Sequence, residues 1–293
     1  MLIESFLDYL RLERNYSERT IVSYQTDLRE FEGYLKKTES ELDWKKVHAD
    51  HVRNWMVHLM ENGKASTSVN RKLSSLRSFY RFLLRKKEVT VNPMLKVVGP
   101  KKKKPLPFFV REKDMNRLLD EIPFGEGFEG CRDRTILEVF YATGMRLSEL
   151  IGLNDVDVDF STKLIKVTGK RNKQRLIPFG KELEENLNLY IKVRNEAFPD
   201  GAECFFVLKN GKRMYPMAVY RLVKRNLSKV VSLKKRSPHV LRHTFATAML
   251  NDHAELQSVK ELLGHESLVT TEVYTHTTFE ELKKVYEQAH PRA

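Results

Sequence analysis

The chain has 293 residues, 41% of them hydrophobic, with 52 Lys and Arg against 39 Asp and Glu, a net charge of +13. That length suits two domains, and the composition is that of a soluble globular protein; no apolar run approaches the roughly 18–20 residues that span a bilayer. Both halves share the positive excess, so a polyanion is the expected partner, and nucleic acid is the commonest one. Cys131 and Cys204 lie far apart with no C-x-x-C, which argues against a disulfide framework or a zinc ribbon and fits a reducing cytoplasm. The start carries Glu4 and Asp8 and no basic run, so no signal peptide is expected.

Residues 1–96 read as an all-helical domain. Ser17 caps a helix whose apolar positions Ile21, Tyr24, Leu28, Phe31 and Leu35 recur at helical spacing. A second helix covers "ADHVRNWMVHLMENG" and closes at Gly63. A third, "SVNRKLSSLRSFYRFLLRKKE", turns Leu73, Leu76, Tyr80, Leu83 and Leu84 to the core, with Arg77, Arg81 and Arg85 beside them at i, i+4 and i+8. No acid falls between Glu61 and Glu88, whereas eight basic residues do. A solvated helix face mixes both signs. A one-sign stripe with small serines suits close approach to a phosphate backbone, so Arg71, Lys72, Arg77, Arg81 and Arg85 are the candidate DNA contacts.

Residues 97–107 form a linker on this reading, since Pro100, Pro105 and Pro107 oppose a helix and Lys101–Lys104 repel one another. Residues 108–293 alternate helices with a little β structure. A helix in "REKDMNRLLDEI" is followed by two in "RDRTILEVFYATGMRLSELIGL", punctuated by Gly144. A β-hairpin spans "TKLIKVTGKRNKQRLIPF". Then come a helix in "KELEENLNLYIKVRNEAF", an edge strand in "ECFFVL" and a basic helix in "AVYRLVKRNLSKVV". In "SPHVLRHTFATAML", Ser237 is an N-cap and Pro238 the first helical residue. Ser258 with Glu261 reads as a capping box for a helix ended by Gly264, and Ser267 caps the next. The tail from Phe279 to Ala293 carries an apolar stripe of Phe279, Leu282, Val285 and Tyr286, which suits docking on a neighbouring subunit, with packing on its own domain as the alternative. The expected fold class is mainly α with a small β-sheet: an all-helical N-terminal domain and a mixed α/β C-terminal one.

The C-terminal domain concentrates reactive side chains in four patches: Arg146 in "ATGMRLSEL", Lys170 in "VTGKRNKQR", His239 and Arg242 in "HVLRH", and His265 with Tyr274 in "LLGHESLVTTEVYTH". His239 and His243 have the i,i+4 spacing of a zinc pair. Val240, however, stands where the zincin pattern has its glutamate, and the arginine between the histidines repels a cation. Neither a metal nor a cofactor is expected. The same residue types suit phosphoryl transfer without metal. Arginine forks hold phosphate oxygens, a phenol attacks once its proton is removed, and a lysine protonates a leaving oxygen.

The words "ATGMRLSEL", "GKRNKQRLIP", "SPHVLRHTFATAML", "LLGH" and "VYTH", in this order and nearly filling the chain's length, resemble the tyrosine recombinases of the phage-integrase type, most closely those of the Xer type. The resemblance implies a helical core-binding domain and a catalytic domain that together clamp duplex DNA. It implies that Arg146 and Arg242 hold the scissile phosphate, that Lys170 is the general acid, that His239 assists proton transfer, that His265 completes the phosphate contacts, and that Tyr274 is the nucleophile. Glu149 is in reach to orient Arg146, and His243 has no role in the pattern. Relatives often carry Gly after the lysine, where this chain has the bulkier Arg171. The implied product is a 3′-phosphotyrosyl bond and a free 5′-hydroxyl, which rejoin without ATP. The implied partners are double-stranded DNA with paired half-sites and self or a paralogous recombinase in a tetramer, with a DNA translocase as a further candidate that the sequence does not specify; no membrane is expected. Chromosome-dimer resolution and mobile-element integration both remain open. A type IB topoisomerase would share the chemistry without a preferred site, and a catalytically silent DNA-binding regulator is the alternative from another class.

Overall fold

The computed structural model describes residues 2–38, 43–101, 108–169, 172–233, 235–264 and 276–293, with only the backbone of 276–279. The chain forms two compact units, Met1–Pro105 and Leu106–Ala293.

The N-terminal unit packs four helices: α1 (Leu2–Asp8), extended by a wider π turn to Glu13, α2 (Glu18–Thr38), α3 (Ala49–Glu61) and α4 (Ser66–Arg85). On α2 the Thr20 N–H donates to Ser17 Oγ at 3.4 Å, and Ile21, Leu28, Phe31 and Leu35 are buried as their spacing predicts. On α4, Leu73, Leu76, Tyr80 and Leu83 are buried, but Leu84 is 42% exposed and Phe79 takes its place in the core. The step from Leu83 to Leu84 is about 100° around the axis, enough to carry Leu84 off the apolar face.

Lys72 departs from the expected DNA contacts. It is 5% exposed, and its ammonium meets Asp27 Oδ1 at 3.1 Å and the Glu30 carboxylate. Asp27 is fully buried. It also accepts from Ser75 Oγ at 2.8 Å and from both terminal nitrogens of Arg71. A buried carboxylate needs such donors, and α4 spends Lys72 on supplying them, whereas the Arg71 side chain stays 50% exposed. Residues 97–100, read as the start of the linker, pack on this unit. Val97 is buried, its carbonyl accepts from Arg77 at 3.0 Å, and the Pro100 carbonyl accepts from Asn70 at 2.8 Å.

The C-terminal unit is built round α6 (Gly127–Thr143), which is buried on nearly every side. Around it lie α5 (Glu112–Asn116, continued by a π turn to Glu121), α7 (Leu147–Gly152), α8 (Lys181–Ala197), α9 (Pro216–Leu227), α10 (Pro238–Asn251), α11 (Leu256–Leu263) and α12 (His276–Ala289). The expected hairpin forms β2 (Leu164–Thr168) and β3 (Gln174–Pro178), antiparallel with Ile165 opposite Ile177, and a short β1 (Val158–Asp159) joins its edge. "ECFFVL" makes no strand and contributes one isolated bridge, Val207 to Arg213. Side chains claim its backbone instead: the Phe205 carbonyl accepts from the Tyr190 hydroxyl at 2.9 Å and from Arg194 at 3.1 Å. Phe205 and Phe206 are both buried in succession, which a strand with one wet face does not allow.

Two caps differ from expectation. Ser237 stands at the N-cap of α10, but among the described residues its side chain makes no capping bond. The helix α11 starts two residues before Ser258, with Glu255 at its N-cap, so Ser258 is internal. Ser267 lies outside the described residues. Part of the tail stripe packs on its own unit, while the Phe279 side chain lies outside the described residues. Leu282, Tyr286 and Ala289 join Phe245, Met249 and Leu262 in one cluster. The His290 ring stacks on Tyr286 and Phe245. Arg292 reaches Asp120 and Glu182. Leu282, Val285 and Tyr286 of the stripe are thus packed within the chain, and a buried guanidinium fixes the tail's end.

Candidate active site

Gly144 ends α6 in the left-handed region at φ 58°. A Cβ there would also come within 2.5 Å of the Phe245 ring, so glycine is required for both backbone and space. The turn delivers Arg146 to the N-cap of α7. Glu149, one turn on, reaches back: Oε2 accepts from the Arg146 backbone N–H at 2.7 Å and Oε1 from its Nη1 at 2.7 Å. The expected Arg146–Glu149 pairing is therefore present.

Arg175 grips the same carboxylate from β3, with Nη1 at 2.6 Å from Oε1 and Nη2 at 2.9 Å from Oε2. Burial alone would push the Glu149 carboxyl up, but the bonds and charge of Arg175, joined by Arg146, outweigh it and hold the pKa at about 2. Arg242, in the first turns of α10, is 8% exposed and donates to the Gly144 carbonyl at 2.6 Å and the Leu263 carbonyl at 2.6 Å.

The three arginines converge on the end of α11. Arg175 Nε donates to Leu262 O at 2.9 Å, Arg242 to Leu263 O at 2.6 Å and Arg146 to Gly264 O at 2.8 Å. A helix leaves its last carbonyls without intrahelical partners and carries partial negative charge there, so three consecutive acceptors take three guanidinium donors. Among the described residues one carboxylate faces three guanidiniums, which leaves the cluster two positive charges in excess. Burial first, then the like charges of Arg146 and Arg175, lower the Arg242 pKa to about 10. That still leaves it charged at neutral pH, and an anion arriving here relieves the repulsion. Arg146, with a side chain 30% exposed, gives the cluster its open edge.

His239 lies exposed one turn before Arg242 on α10, and His243 is exposed as well. Lys170, Arg171, His265 and Tyr274 lie outside the described residues. The described residues before Lys170 and before His265 stand at the cluster. Gly169, before Lys170, donates its N–H to Lys173 O at 2.7 Å. A Cβ on Gly169 would lie 3.4 Å from Glu149 Oε1 and 3.9 Å from Arg146 Nη1. Gly264, before His265, is held by Arg146 as above.

Arg175 went unnoticed in the sequence, although a signal was there. It alternates with Ile177 and pairs opposite Val167 in the ladder. A basic residue on the inward face of a strand demands a buried partner. In the N-terminal unit, Arg71, Arg81 and Arg85 are exposed, Arg77 is half-buried and Lys72 is internal. Arg85 lies over the Tyr9 ring at 4.3 Å.

Residues 109–281 match the phage integrase family, and residues 3–87 match the N-terminal SAM-like domain of phage integrases. The chain belongs to the phage integrase family. Its relatives include the tyrosine recombinase XerC of Chlorobaculum parvum, 41% identical over 99% of this chain and 94% of that one. The tyrosine recombinase XerC of Staphylococcus carnosus is 39% identical over 99% of this chain and 97% of that one. Like these family members, the protein is a site-specific recombinase of the tyrosine type. Among solved structures, the XerH site-specific recombinase bound to a palindromic difH substrate superimposes with a TM-score of 0.74 at 21% identity, covering 96% of this chain and 83% of that one. The likeness is one of fold, a helical first unit and a mainly helical second one with a small sheet. Among the described residues no helix is long and apolar enough to cross a membrane.

Proposed function

We propose that this protein is an Xer-type recombinase whose arginine cluster holds the scissile phosphate of duplex DNA. Arg146 and Arg242 bind the non-bridging oxygens. Tyr274 attacks phosphorus in line, forming the phosphotyrosyl bond as the bond to the 5′-oxygen breaks. Lys170 gives that oxygen its proton, His239 assists removal of the tyrosine proton, and His265 completes the phosphate contacts. Attack by a 5′-hydroxyl reverses the step, and the energy of the phosphodiester is retained throughout. The observation that carries the reading is the excess of guanidinium charge on Arg146, Arg175 and Arg242 around a single carboxylate. Fixed cations are what a phosphoryl transition state needs.

The working assembly is a tetramer on two synapsed duplexes with paired half-sites, made of this chain alone or with a paralogue of the XerC or XerD kind, in the cytoplasm and under a DNA translocase. The N-terminal unit adds phosphate contacts through Arg71, Arg77, Arg81 and Arg85. Full-length likeness to XerC proteins favours chromosome-dimer resolution over mobile-element integration.

A nicked suicide duplex tests the chemistry. The wild-type protein should form a covalent 3′ adduct mapped to Tyr274, and Tyr274→Phe should bind the duplex without forming one. An undiminished adduct in Tyr274→Phe, or one mapped to Tyr286, overturns the assignment.

A further inference from the structure

Arg175 donates from all three of its guanidinium nitrogens within the protein. Its side chain is 9% exposed. Its nitrogens divide between Glu149, through Nη1 and Nη2, and the Leu262 carbonyl, through Nε. Glu149 in turn holds Arg146 by backbone and side chain. The aliphatic stem of Arg175 lies so close to Gly264 that a Cβ there would meet its Cδ at 3.0 Å. One side chain therefore ties together the strand that follows the Lys170 turn, the carboxylate that orients Arg146, and the helix end that precedes His265.

Resting on the proposed function, we propose that Arg175 is a positioning residue for the cleavage reaction, one that fixes Arg146 through the Glu149 carboxylate they share. It touches no reacting atom in this scheme. Its planar fork suits the task, because two parallel bonds to one carboxylate set an angle as well as a distance. Among the described residues, the charged groups facing Glu149 are Arg146 from α7, Arg175 from β3 and Arg242 from α10. Removing Arg175 takes away the largest opposition to burial, so the Glu149 carboxyl rises. A protonated Glu149 loses part of its hold on Arg146, and a small displacement near a reacting centre costs about 10²-fold in rate.

The test is single-turnover cleavage of a nicked suicide duplex built on the site mapped with the wild-type protein, followed from neutral to acid pH. Arg175→Ala and Arg175→Lys should bind that duplex nearly as wild type does. Both should cleave more slowly, by about 10²-fold for alanine, with an acid limb at higher pH than in wild type. Lysine, a point charge without the fork, should recover only part of the rate. Arg175→Ala combined with Glu149→Gln should lose that acid limb, because the titrating group is gone. A rate loss independent of pH, an acid limb that persists in the double variant, or full recovery by lysine overturns the proposal. Should Arg175→Ala not fold, the lysine variant alone carries both readouts. Failure of the wild-type protein to form any adduct refutes the proposed function instead, which separates the two.

Discussion

Arg146 and Arg242 donate to adjacent carbonyls, Gly264 O at 2.8 Å and Leu263 O at 2.6 Å. They come from different helices, 96 positions apart in the sequence, and meet on the terminus of a third. The α11 terminus is thus a jig for two guanidiniums whose charges would otherwise push them apart. Lysine cannot reproduce this geometry at Arg242. One ammonium does not supply the planar fork that joins the Gly144 and Leu263 carbonyls. Arg242→Lys should lower the cleavage rate by about 10²–10³-fold, the scale of a lost transition-state donor. It should also lower the urea midpoint by an amount equal to about 1–3 kcal/mol. Single-turnover cleavage and urea titration check the two effects separately, and wild-type values in both would refute the role.

Beneath the tail lies a carboxylate with the opposite bias. Glu138 on α6 is fully buried. Its Oε2 accepts from Asn186 at 2.6 Å; its Oε1, among the described residues, accepts no hydrogen bond and has Arg292 at 3.6 Å. Burial, then the charge of Glu182, raises its pKa to about 7 against the pull of Arg292 and Arg134. A raised acid contributes its full stability below the unfolded pKa, near 4.5, and loses it as pH rises through about 7. Glu138→Gln should therefore unfold at nearly the wild-type temperature at pH 5 and at a higher temperature than wild type at pH 8. The gain is on the order of 3 kcal/mol at most. Melting curves at the two pH values decide it; a variant less stable than wild type at pH 8 would show that Arg292 needs the charge.

The helices were legible because their apolar periodicity is strong, and Gly144 and Gly264 closed α6 and α11 as read. What escaped the sequence depended on tertiary partners. Lys72 looked like one more basic residue until α2 brought Asp27 and Glu30 against it. "ECFFVL" had strand propensity, yet Tyr190 and Arg194 took its carbonyls. The end of the tail could not be placed from sequence because the groove of Tyr141, Phe245 and Glu182 that receives His290 and Arg292 is assembled from three distant segments. At the site, Arg146 and Arg242 could be named from motif alone, whereas Arg175 is defined by its bonds to Glu149 and Leu262.

The α4 stripe now divides into two classes. Arg81 and Arg85 are exposed and face no carboxylate among the described residues, whereas Lys72 is locked in an internal ion pair. Arg81→Ala should weaken binding alike across sequences and lower the slope of log affinity against log salt by about one. Lys72→Ala should leave the slope unchanged and lower the melting temperature, because it strands Asp27 and Glu30. Fluorescence anisotropy over a salt series, beside thermal melts, separates the classes; a slope change in Lys72→Ala would return that lysine to the DNA face.

Lys170 follows Gly169, which stands beside Glu149 and Arg146, and the proposed mechanism gives it the leaving-group proton. An alkoxide leaves poorly at neutral pH, so loss of that proton should slow cleavage by roughly 10²–10⁴-fold. A thiolate needs no such help, since a thiol ionises near a pKa of about 8.5. Lys170→Ala should therefore be slow on ordinary DNA and largely restored on DNA whose 5′-bridging oxygen is sulfur. Arg242→Ala should stay slow on both, because its proposed contacts are with non-bridging oxygens that the sulfur leaves in place. Arg171 and Lys173 are the competing donors in the same turn, and Arg171 stands where relatives often have glycine. Rates for the alanine variants of Lys170, Arg171 and Lys173 on the two substrates identify the acid: it is the residue whose loss the sulfur selectively repairs. Selective repair of Lys173→Ala, with none for Lys170→Ala, would move the role two positions along the turn and show that the arginine at 171 has changed which ammonium reaches the departing atom.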